Sequence, residues 1–385
     1  MSDELATARP PLPSPATFDD LLELGLGELR NLLGPRWRLE KRTPSAAETS
    51  SMSDDSFELI IDIADPSNSA AQVLVECKME LTPAQALKVL EVQRRTLRNM
   101  YSEFSTLVIA PWLDARTREI LETRGVGYVD LTGNINLKLE RPGLVVIKQG
   151  AQQDPNPRRP ESQRRLSGQR ALRLIRLLID VEPPYKPIEL TEASGLSAGY
   201  VSRLLDVMQR QALINRKGRI VTSVDWPALT RARASESRLL DLENVSAIAP
   251  NGVFDVLEMI DKRRSGNQLV AVTGSYALGS VGPVSIGGQL MLYVRPQIEL
   301  SQAVGSLGLI PASSGEVILL KPGDGVVFER MRDYQGLPLV GLSQLAIDCM
   351  SGPGRMPADG EQVLRFMIEN ERSWRARDIQ SLLIR

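Results

Sequence analysis

Three charged side chains between residues 62 and 78 could together carry out phosphodiester chemistry. Glu76 and Lys78 end the apolar run VLVECKM, and Asp62 lies in the preceding apolar run, FELIIDIAD. Both runs are predicted strands, so alternation places Asp62 on one face of its strand and Glu76 with Lys78 on one face of the next. Carboxylates bind Mg²⁺, and a lysine stabilises charge on a scissile phosphate. These residues are candidate catalytic groups, with Asp62 and Glu76 as metal ligands, and Glu58 is an alternative first acid.

The composition of the chain excludes several other chemistries. The 385 residues include no histidine and only two cysteines, Cys77 and Cys349. Ser-His-Asp catalysis, Cys-His catalysis and His-based zinc sites are therefore absent, and two cysteines cannot close a Cys-rich zinc site. Few, widely separated cysteines are typical of a reducing cytoplasm, and no apolar run is long enough to span a membrane. We expect a cytoplasmic protein with no membrane partner and no cofactor, except Mg²⁺ if the nuclease-like site is active.

A second chemistry is indicated by a local excess of basic residues. Residues 155–235 hold 15 Lys/Arg against 7 Asp/Glu, although the whole chain has a net charge of −1. This pattern is expected of a module that binds a polyanion. Three helices are predicted in the same block: SGQRALRLIRLLIDV with Ser167 as its N-cap, PIELTEASG from Pro187 to Gly195, and SAGYVSRLLDVMQRQALI capped by Ser197.

The order of these helices is that of a helix-turn-helix, and the next residues predict a β-hairpin wing. INRKGRIVTSVDW contains a basic turn, predicted at 215–218, between two short apolar runs. The segment 166–235 resembles the winged helix domains of MarR and related bacterial regulators. In that arrangement the start of the recognition helix reaches base edges in the major groove, and the wing meets phosphates or the minor groove.

The predicted DNA-binding residues fall into three groups. Arg203 can form a bidentate pair with guanine, and the small residues Ala198 and Gly199 would let the recognition helix approach closely. The candidates on the recognition helix, on the wing and at the first helix are, in that order, Ser197, Tyr200, Ser202 and Arg203; Arg216, Lys217 and Arg219; and Arg164, Arg165, Arg170 and Arg173.

A third motif follows an apolar strand near residue 274. In LVAVTGSYALGSVGPVSIGGQLMLYV the strand leads to Gly274 and Ser275, a loop and a second strand. This resembles the nucleotidyltransferase signature, in which the Gly-Ser backbone cradles phosphates and two acids on the next strand bind Mg²⁺. The acid positions here are Gln289 and Met291, which cannot replace carboxylates. The resemblance implies a degenerate nucleotide-binding site without transferase activity.

The elements that must position these residues fall into three predicted domains. Residues 1–17 are predicted to be a disordered tail, and 151–165 a linker rich in Pro, Gln and Arg. In residues 18–150, helical patterns such as FDDLLELGLGELRNLL alternate with β-rich runs, which indicates an α/β or α+β domain. The other two domains are the winged helix at 166–235 and a mixed α/β domain at 239–385.

Two further resemblances refine this organisation. With Asp62, Glu76 and Lys78 at matching positions, residues 18–150 resemble the PD-(D/E)xK nucleases, which implies a restriction-endonuclease-like domain; many members of that family keep the fold without cleaving. The stretch GLSQLAIDCMSGPGRMPADGEQVLRFM resembles antitoxins of the abortive-infection E (type IV) toxin–antitoxin class. Such antitoxins pair a winged helix with a C-terminal antitoxin domain and repress their own promoters, which implies autoregulation and a toxin partner.

The sequence therefore predicts a multidomain α/β (α+β) protein with restriction-endonuclease-like, winged helix-turn-helix and nucleotidyltransferase-like domains. Its predicted function is a transcriptional regulator, not an enzyme, that binds double-stranded DNA. We expect a homodimer because one recognition helix usually needs a second half-site. Two alternatives stay open: a Mg²⁺-dependent nuclease targeted by its winged helix, and the antitoxin of a type IV pair.

Overall fold

A computed structural model gives the structure of the chain and describes residues 15–42, 57–88, 105–155, 166–262, 269–282 and 287–379. Several predictions fall outside these ranges: nearly all of the tail at 1–17, most of the linker at 151–165, and the basic residues Arg164 and Arg165. Among the helices that are described, none has the length and apolar character needed to cross a membrane.

The chain has mixed α/β structure and divides into two compact units. Unit 1 is Met1–Gln163 together with Arg210–Ala212, and unit 2 is Arg164–Gln209 together with Leu213–Arg385. Each unit contains a seven-stranded mixed sheet, and unit 2 also contains a two-stranded sheet. The mixed α/β class predicted from the sequence is confirmed at this level.

The sheet of unit 1 has the same strand order in space as along the chain. Its strands are β1 (Arg38–Lys41), β2 (Phe57–Ala64), β3 (Ala70–Cys77), β4 (Ser105–Ala110), β5 (Gly127–Asp130), β6 (Ile135–Leu139) and β7 (Leu144–Lys148). Strands β3, β4 and β5 run parallel, whereas the other neighbouring pairs are antiparallel.

Helices cover both faces of this sheet. Helix α1 (Phe18–Leu33) starts with a capping box, because Thr17 and Asp20 each accept a hydrogen bond from the other's backbone N–H. Gly25 allows close packing of α1, since a Cβ there would lie only 2.5 Å from a methyl group of Ile109 in β4. Helix α2 (Ala115–Thr123) packs on the opposite face of the sheet, in a second apolar cluster that includes Val108 of β4.

Residues 166–235, which belong to unit 2 apart from Arg210–Ala212, form four helices and a hairpin. The elements are α3 (Gln169–Asp180), α4 (Pro187–Ser194), α5 (Ala198–Arg210), β8 (Ile214–Lys217), β9 (Ile220–Val224) and α6 (Trp226–Ser235). Two details differ from the prediction. Helix α3 has Gly168, not Ser167, at its N-cap position, with φ of 96° and no side-chain cap. The hairpin turn falls on Gly218 and Arg219, because Lys217 pairs with Ile220.

The second large sheet lies in the remainder of unit 2, in the order β13-β10-β14-β12-β11-β16-β15. Its strands are β10 (Glu243–Ile248), β11 (Val270–Thr273), β12 (Leu290–Val294), β13 (Ile310–Pro311), β14 (Val317–Lys321), β15 (Arg332–Tyr334) and β16 (Leu337–Leu339). The helices are α7 (Val253–Lys262), α8 (Leu300–Ser306), α9 (Leu342–Met350), α10 (Met356–Glu369) and α11 (Glu371–Trp374).

The segments 166–235 and 239–379 share one hydrophobic core. Helix α6 packs against both α3 and α9, and buried side chains of all three helices belong to the same apolar cluster. The chain after α11 closes the end of α3: the N–H of Ala376 donates to the carbonyl of Asp180, and the guanidinium of Arg375 donates to the carbonyl of Ile179. The two predicted domains thus form one compact unit.

A buried arginine on α3 holds this arrangement together. The guanidinium of Arg176 is completely buried and donates to the carbonyls of Val326 and Glu329 at 2.9 Å each, and to the hydroxyl of Ser343 at 3.0 Å. The carboxylate of Asp180 lies 3.5 Å from it. Burial lowers the pKa of Arg176 from its usual value, and the charge of Asp180 opposes that shift.

Candidate nucleic-acid interface

Helices α4 and α5 are joined by a short turn whose geometry depends on glycine. Helix α4 starts with Pro187, which has no N–H to leave unpaired, and its end is set by Gly195 in the left-handed region with φ of 66°. The N–H of Gly195 donates to the carbonyl of Thr191 at 3.0 Å. Helix α5 then starts at Ala198, with the carbonyl of Ser197 accepting from the N–H of Val201.

Helix α5 has one buried and one exposed face. The buried residues are Val201, Leu204, Leu205, Val207 and Met208. The exposed residues at and near its start are Ser197, Ala198, Gly199, Ser202, Arg203 and Asp206. Tyr200, a predicted DNA-binding residue, is half-buried and packs against the hydrophobic core. The exposed face near the start of α5 therefore consists mostly of small residues, with Arg203 as its long basic side chain.

The guanidinium of Arg203 lies beside the first turn of α5. A Cβ added at Gly199 would lie 3.7 Å from Nη1 of Arg203 and would meet no other atom within 4 Å. The arginine side chain therefore extends back along the helix towards its N-terminal end, as long helical side chains do. This places the positive charge at the end of α5 that the sequence predicted to read bases.

The hairpin β8–β9 carries exposed charges at its turn and a fixed arginine at its base. Lys217 and Arg219 are exposed on either side of Gly218. Arg216 is different, because its guanidinium donates to the side chains of Gln209 and Asp206 of α5 and is only 18% exposed. Arg216 therefore joins the hairpin to α5 and offsets the one acid on the exposed face of that helix.

The two arginines of α3 that were predicted to contact DNA, Arg170 and Arg173, also differ in exposure and in partners. Arg170 is exposed in the first turn of α3. Arg173 forms a 2.7 Å ion pair with Asp324, and its Nη1 donates to the carbonyl of Ser194 at the end of α4. The hydrogen bond that Arg173 donates to Asp324 raises the pKa of Arg173. Arg173 thus acts within unit 2, tying α3 to α4 and to the segment after β14.

The positive charge counted between residues 155 and 235 is only partly on the surface. Arg176 and Arg233 are buried, and Arg231 forms a bidentate pair with Glu361. Exposed basic residues that make no ion pair with another described residue include Arg170, Lys186, Arg203, Lys217 and Arg219. Arg203 of α5 and Lys217 and Arg219 of the hairpin are therefore exposed, whereas Arg173 and Arg216 are bound to other residues of the same segment or of unit 2.

The nuclease-like residues of unit 1 are brought together only in part. Lys78 lies 3.0 Å from Glu76, which is 2% exposed. The residue opposite Glu76 in the β2–β3 register is Glu58, not Asp62, which pairs with Gln72. Asp62 is four residues away along β2, or roughly 13 Å at ~3.3 Å per residue. Of the two acids considered from the sequence, the register therefore favours Glu58 as the neighbour of Glu76; the side chain of Glu58 lies outside the described residues.

A metal ion implied by the nuclease resemblance would need several carboxylates around one point. Nowhere in the described ranges do three or more Cys, Asp or Glu side chains come close enough to hold a metal ion. Asp62 and Glu76 therefore do not form a Mg²⁺ site with the described residues, and Glu76 instead faces the ammonium of Lys78.

The polar residues that follow β5 form a structural network. The buried carboxylate of Asp130 accepts hydrogen bonds from the backbone N–H groups of Leu113, Thr132 and Asn134. Asn134 in turn accepts from Gly150 and donates to the carbonyl of Ala151. These bonds fasten the β5–β6 turn to the chain that leaves β7, so the first residues of the predicted linker are part of unit 1.

The Gly274–Ser275 motif lies at the end of β11, where a short 3₁₀ helix begins. Gly274 has φ of 67°, and a Cβ there would lie 3.4 Å from the sulfur of Met291 on the neighbouring strand β12. Gln289 donates to the carbonyl of Gly315. At both positions where the nucleotidyltransferase signature has acids, the side chain is thus committed to packing or to a backbone hydrogen bond.

A buried polar cluster around Asp348 was not anticipated from the sequence. Its carboxylate, 2% exposed, accepts hydrogen bonds from Thr273 at 2.7 Å, Tyr293 at 2.9 Å and Gln344 at 2.8 Å. Burial raises the pKa of Asp348 to about 6, against the opposing effect of these three donors. No local pattern marks the cluster, because its members come from β11, β12 and α9; an acid in the apolar stretch QLAIDCM was the one available signal.

Comparison with known proteins adds little to this geometry. No protein-family model matches the chain, and no curated protein matches it. A solved structure described as "Structure of EndoMS in apo form" matches with 17% sequence identity, covering 31% of this chain and 47% of that chain, at a TM-score of 0.21. The chain thus spans about half the length of that protein, and a TM-score of this size does not establish a shared fold.

Proposed function

We propose that this protein binds double-stranded DNA through residues 166–235, acting as a winged helix-turn-helix, and regulates transcription. One observation carries the proposal: helix α5 follows α4 after a glycine turn and presents Ser197, Gly199, Ser202 and Arg203 on one exposed face. A hairpin with exposed Lys217 and Arg219 follows directly. This is the arrangement in which a recognition helix enters the major groove.

The chemistry of the exposed face suits base recognition. Ser197, Ala198 and Gly199 are small, so the start of α5 can approach the floor of the groove without steric hindrance. Arg203 supplies a planar donor pair for O6 and N7 of guanine, a contact worth about 1–3 kcal/mol of discrimination. Asp206 would repel phosphates, but Arg216 neutralises it. Lys217 and Arg219 then supply sequence-independent phosphate contacts.

We propose that the functional species on DNA is a homodimer. One α5 helix covers one half-site, and the usual solution is a two-fold symmetric protein on a palindromic operator, with half-sites spaced by about one helical turn. The two sheets then have supporting roles. Unit 1 would be a restriction-endonuclease-like domain whose described residues assemble no metal site, and residues 239–385 a nucleotidyltransferase-like domain with Gln289 and Met291 at the acid positions.

The proposal is tested by selecting duplexes from a random pool with the full-length protein and titrating the enriched sequence. We expect saturable binding to a palindromic sequence and an affinity that falls steeply as salt rises, because bound cations displace counterions from DNA. Lys262→Ala, which removes a charge from the exposed end of α7, is the matched control and should bind normally. Failure to enrich any sequence above the starting pool contradicts the proposal.

A narrower form of this proposal is the autoregulatory antitoxin. It shares the DNA contacts and adds a toxin encoded beside this chain. Purification of the tagged protein from its native cells distinguishes the two: an antitoxin is recovered with a stoichiometric partner, whereas a simple regulator is recovered alone and still binds its operator.

A further inference from the structure

A cavity inside unit 2 is lined in part by polar side chains that the proposed DNA contacts do not use. Its volume is about 50 Å³, and Arg233, Asp348, Tyr293, Gln344 and Gln169 are among the residues that line it. A single water needs roughly 10–15 Å³ in this measure. The cavity therefore has room for about three or four waters, or for one anion of four or five non-hydrogen atoms.

Arg233 is the least satisfied polar group of these walls. It is 5% exposed, and neither Nε nor Nη1 has a hydrogen-bond partner in the structure. A buried guanidinium with unmet donors is costly unless an acceptor reaches it. Burial lowers the pKa of Arg233, which records the same lack of solvation. Arg238, exposed beside the cavity, adds a second positive charge to the lining.

The acids near Arg233 leave its Nε and Nη1 without a hydrogen-bond acceptor. Asp348 and Glu236 act on Arg233 electrostatically, but both carboxylate oxygens of Asp348 already accept from Thr273, Tyr293 and Gln344. Gln169 contributes an unmet group of the opposite kind, because its buried Oε1 accepts no hydrogen bond. The walls thus contain a guanidinium, that of Arg233, with two N–H nitrogens that lack an acceptor, and an amide oxygen, that of Gln169, that lacks a donor.

We propose that this cavity is a binding site for a small oxyanion, a carboxylate or a phosphate, held by Arg233 and Arg238. A hydroxyl group on the same ligand would satisfy Gln169. The site is independent of the proposed DNA binding, because none of the exposed side chains of α5 or of the hairpin lines it. Its walls include residues of α3, α6 and α9, so a bound anion would contact three helices that pack in the shared core.

The test uses the full-length, DNA-free protein. Thermal unfolding is measured in sodium phosphate, in sodium acetate and in sodium chloride at equal ionic strength. A ligand bound only by the folded state should raise the melting temperature in proportion to the logarithm of its concentration above the dissociation constant, by about 3–5 °C at ten times that constant. The phosphate and acetate series show which oxyanion the site prefers, and the chloride series removes general salt effects.

Two variants separate a specific site from a general stabilisation by salts. Arg233→Gln should abolish the rise in melting temperature beyond that in chloride, and Arg231→Gln, which replaces an exposed arginine on the same helix paired with Glu361, should retain it. If Arg233→Gln does not fold, Arg238→Gln serves instead, because Arg238 is exposed. This variant should weaken the affinity for the anion about threefold to tenfold. A rise no larger than that in chloride, or one unchanged in Arg233→Gln or in Arg238→Gln, overturns the proposal and leaves the cavity to water.

Discussion

Helices α3 and α5 both carry arginine, and they use it in opposite ways. Arg176 on α3 is completely buried and donates to two backbone carbonyls and a hydroxyl of the chain beyond residue 325. Arg203 on α5 is exposed beside Gly199 and forms no ion pair with another described residue. One arginine holds the fold together and the other is available to a ligand. The number of basic residues in a segment is thus a poor measure of the charge that DNA would meet.

The comparison predicts its largest effect for the removal of Arg176. Arg176→Met should lower the free energy of unfolding of unit 2 by about 3–5 kcal/mol, because it leaves buried acceptors unpaired and Asp180 without one of its cations. Urea denaturation followed by circular dichroism measures this loss. The control is Arg170→Met, an exposed arginine on the same helix, which should change the stability by less than about 0.5 kcal/mol. Equal losses in the two variants would remove the distinction between the helices.

The buried carboxyl group of Asp348 also predicts that the free energy of unfolding depends on pH. Burial raises the pKa of Asp348 to about 6 from an ordinary value of 3.8, so between these values the folded chain binds more protons than the unfolded chain. Stability should therefore fall as pH rises from about 4 to 6, by roughly 3 kcal/mol for the full shift. Unfolding measured at several pH values should show that slope, and Asp348→Asn should flatten it. The exposed Asp241→Asn serves as control, and a slope that persists in Asp348→Asn contradicts the assignment.

On the exposed side, Arg203→Ala should separate binding from stability. We expect a loss of about 1–3 kcal/mol in affinity for the selected duplex, with little loss for random duplex, because Arg203 is proposed to contact a base. The unfolding transition should move by less than about 0.5 kcal/mol, since the side chain is exposed. Fluorescence anisotropy and denaturation of the same sample check both values. Equal losses on both duplexes would make Arg203 a phosphate contact.

The smallest effect is expected at the hairpin. Lys217→Ala should weaken specific and random duplexes alike and reduce the slope of log affinity against log salt by about 1. The neighbouring Arg216→Ala is the matched comparison, since the guanidinium of Arg216 is already bound to Gln209 and Asp206. Its salt slope should stay unchanged, provided that circular dichroism shows the fold intact. A salt slope altered by Arg216→Ala and not by Lys217→Ala would reverse the assignment of the two residues.

Local patterns in the sequence predicted helix α1, the helices and hairpin between residues 166 and 225, and the strands that carry the candidate motifs, whereas most elements after residue 239 were predicted only as mixed α/β structure. Helix α1 followed from its three-to-four apolar spacing, and α4 and α5 from the flanking signals at Pro187, Gly195 and Ser197. Strand β1 was not predicted, because three of its four residues are charged and it is ordered by pairing with β2. The hairpin turn lies later in the chain than the predicted 215–218, because Arg216 and Lys217 belong to strand β8.

The candidate site was harder to predict because its details depend on distant residues. Arg173 and Arg176 look like surface arginines until Asp324 and the carbonyls of Val326 and Glu329, about 150 positions away, pack against them. The position of Asp62 relative to Glu76 depends on the β2–β3 register, which residue types alone do not specify. Partners and registers of this kind arise from tertiary packing, whereas periodicity reports the local element.

The hydrogen bonds between Asp180 and Ala376, and between Ile179 and Arg375, determine when helix α3 can reach its final structure during synthesis. The two ends of the Arg375–Ile179 bond are 196 positions apart. At roughly 5–20 residues per second, the ribosome needs about 10–40 s to synthesise the intervening chain. During that interval helices α4 and α5, which are proposed to bind DNA, are synthesised before the chain after α11 that closes the end of α3. Competence of these helices to bind DNA is therefore expected only after Arg375 and Ala376 have been synthesised, so chains truncated before these residues would not compete for the site.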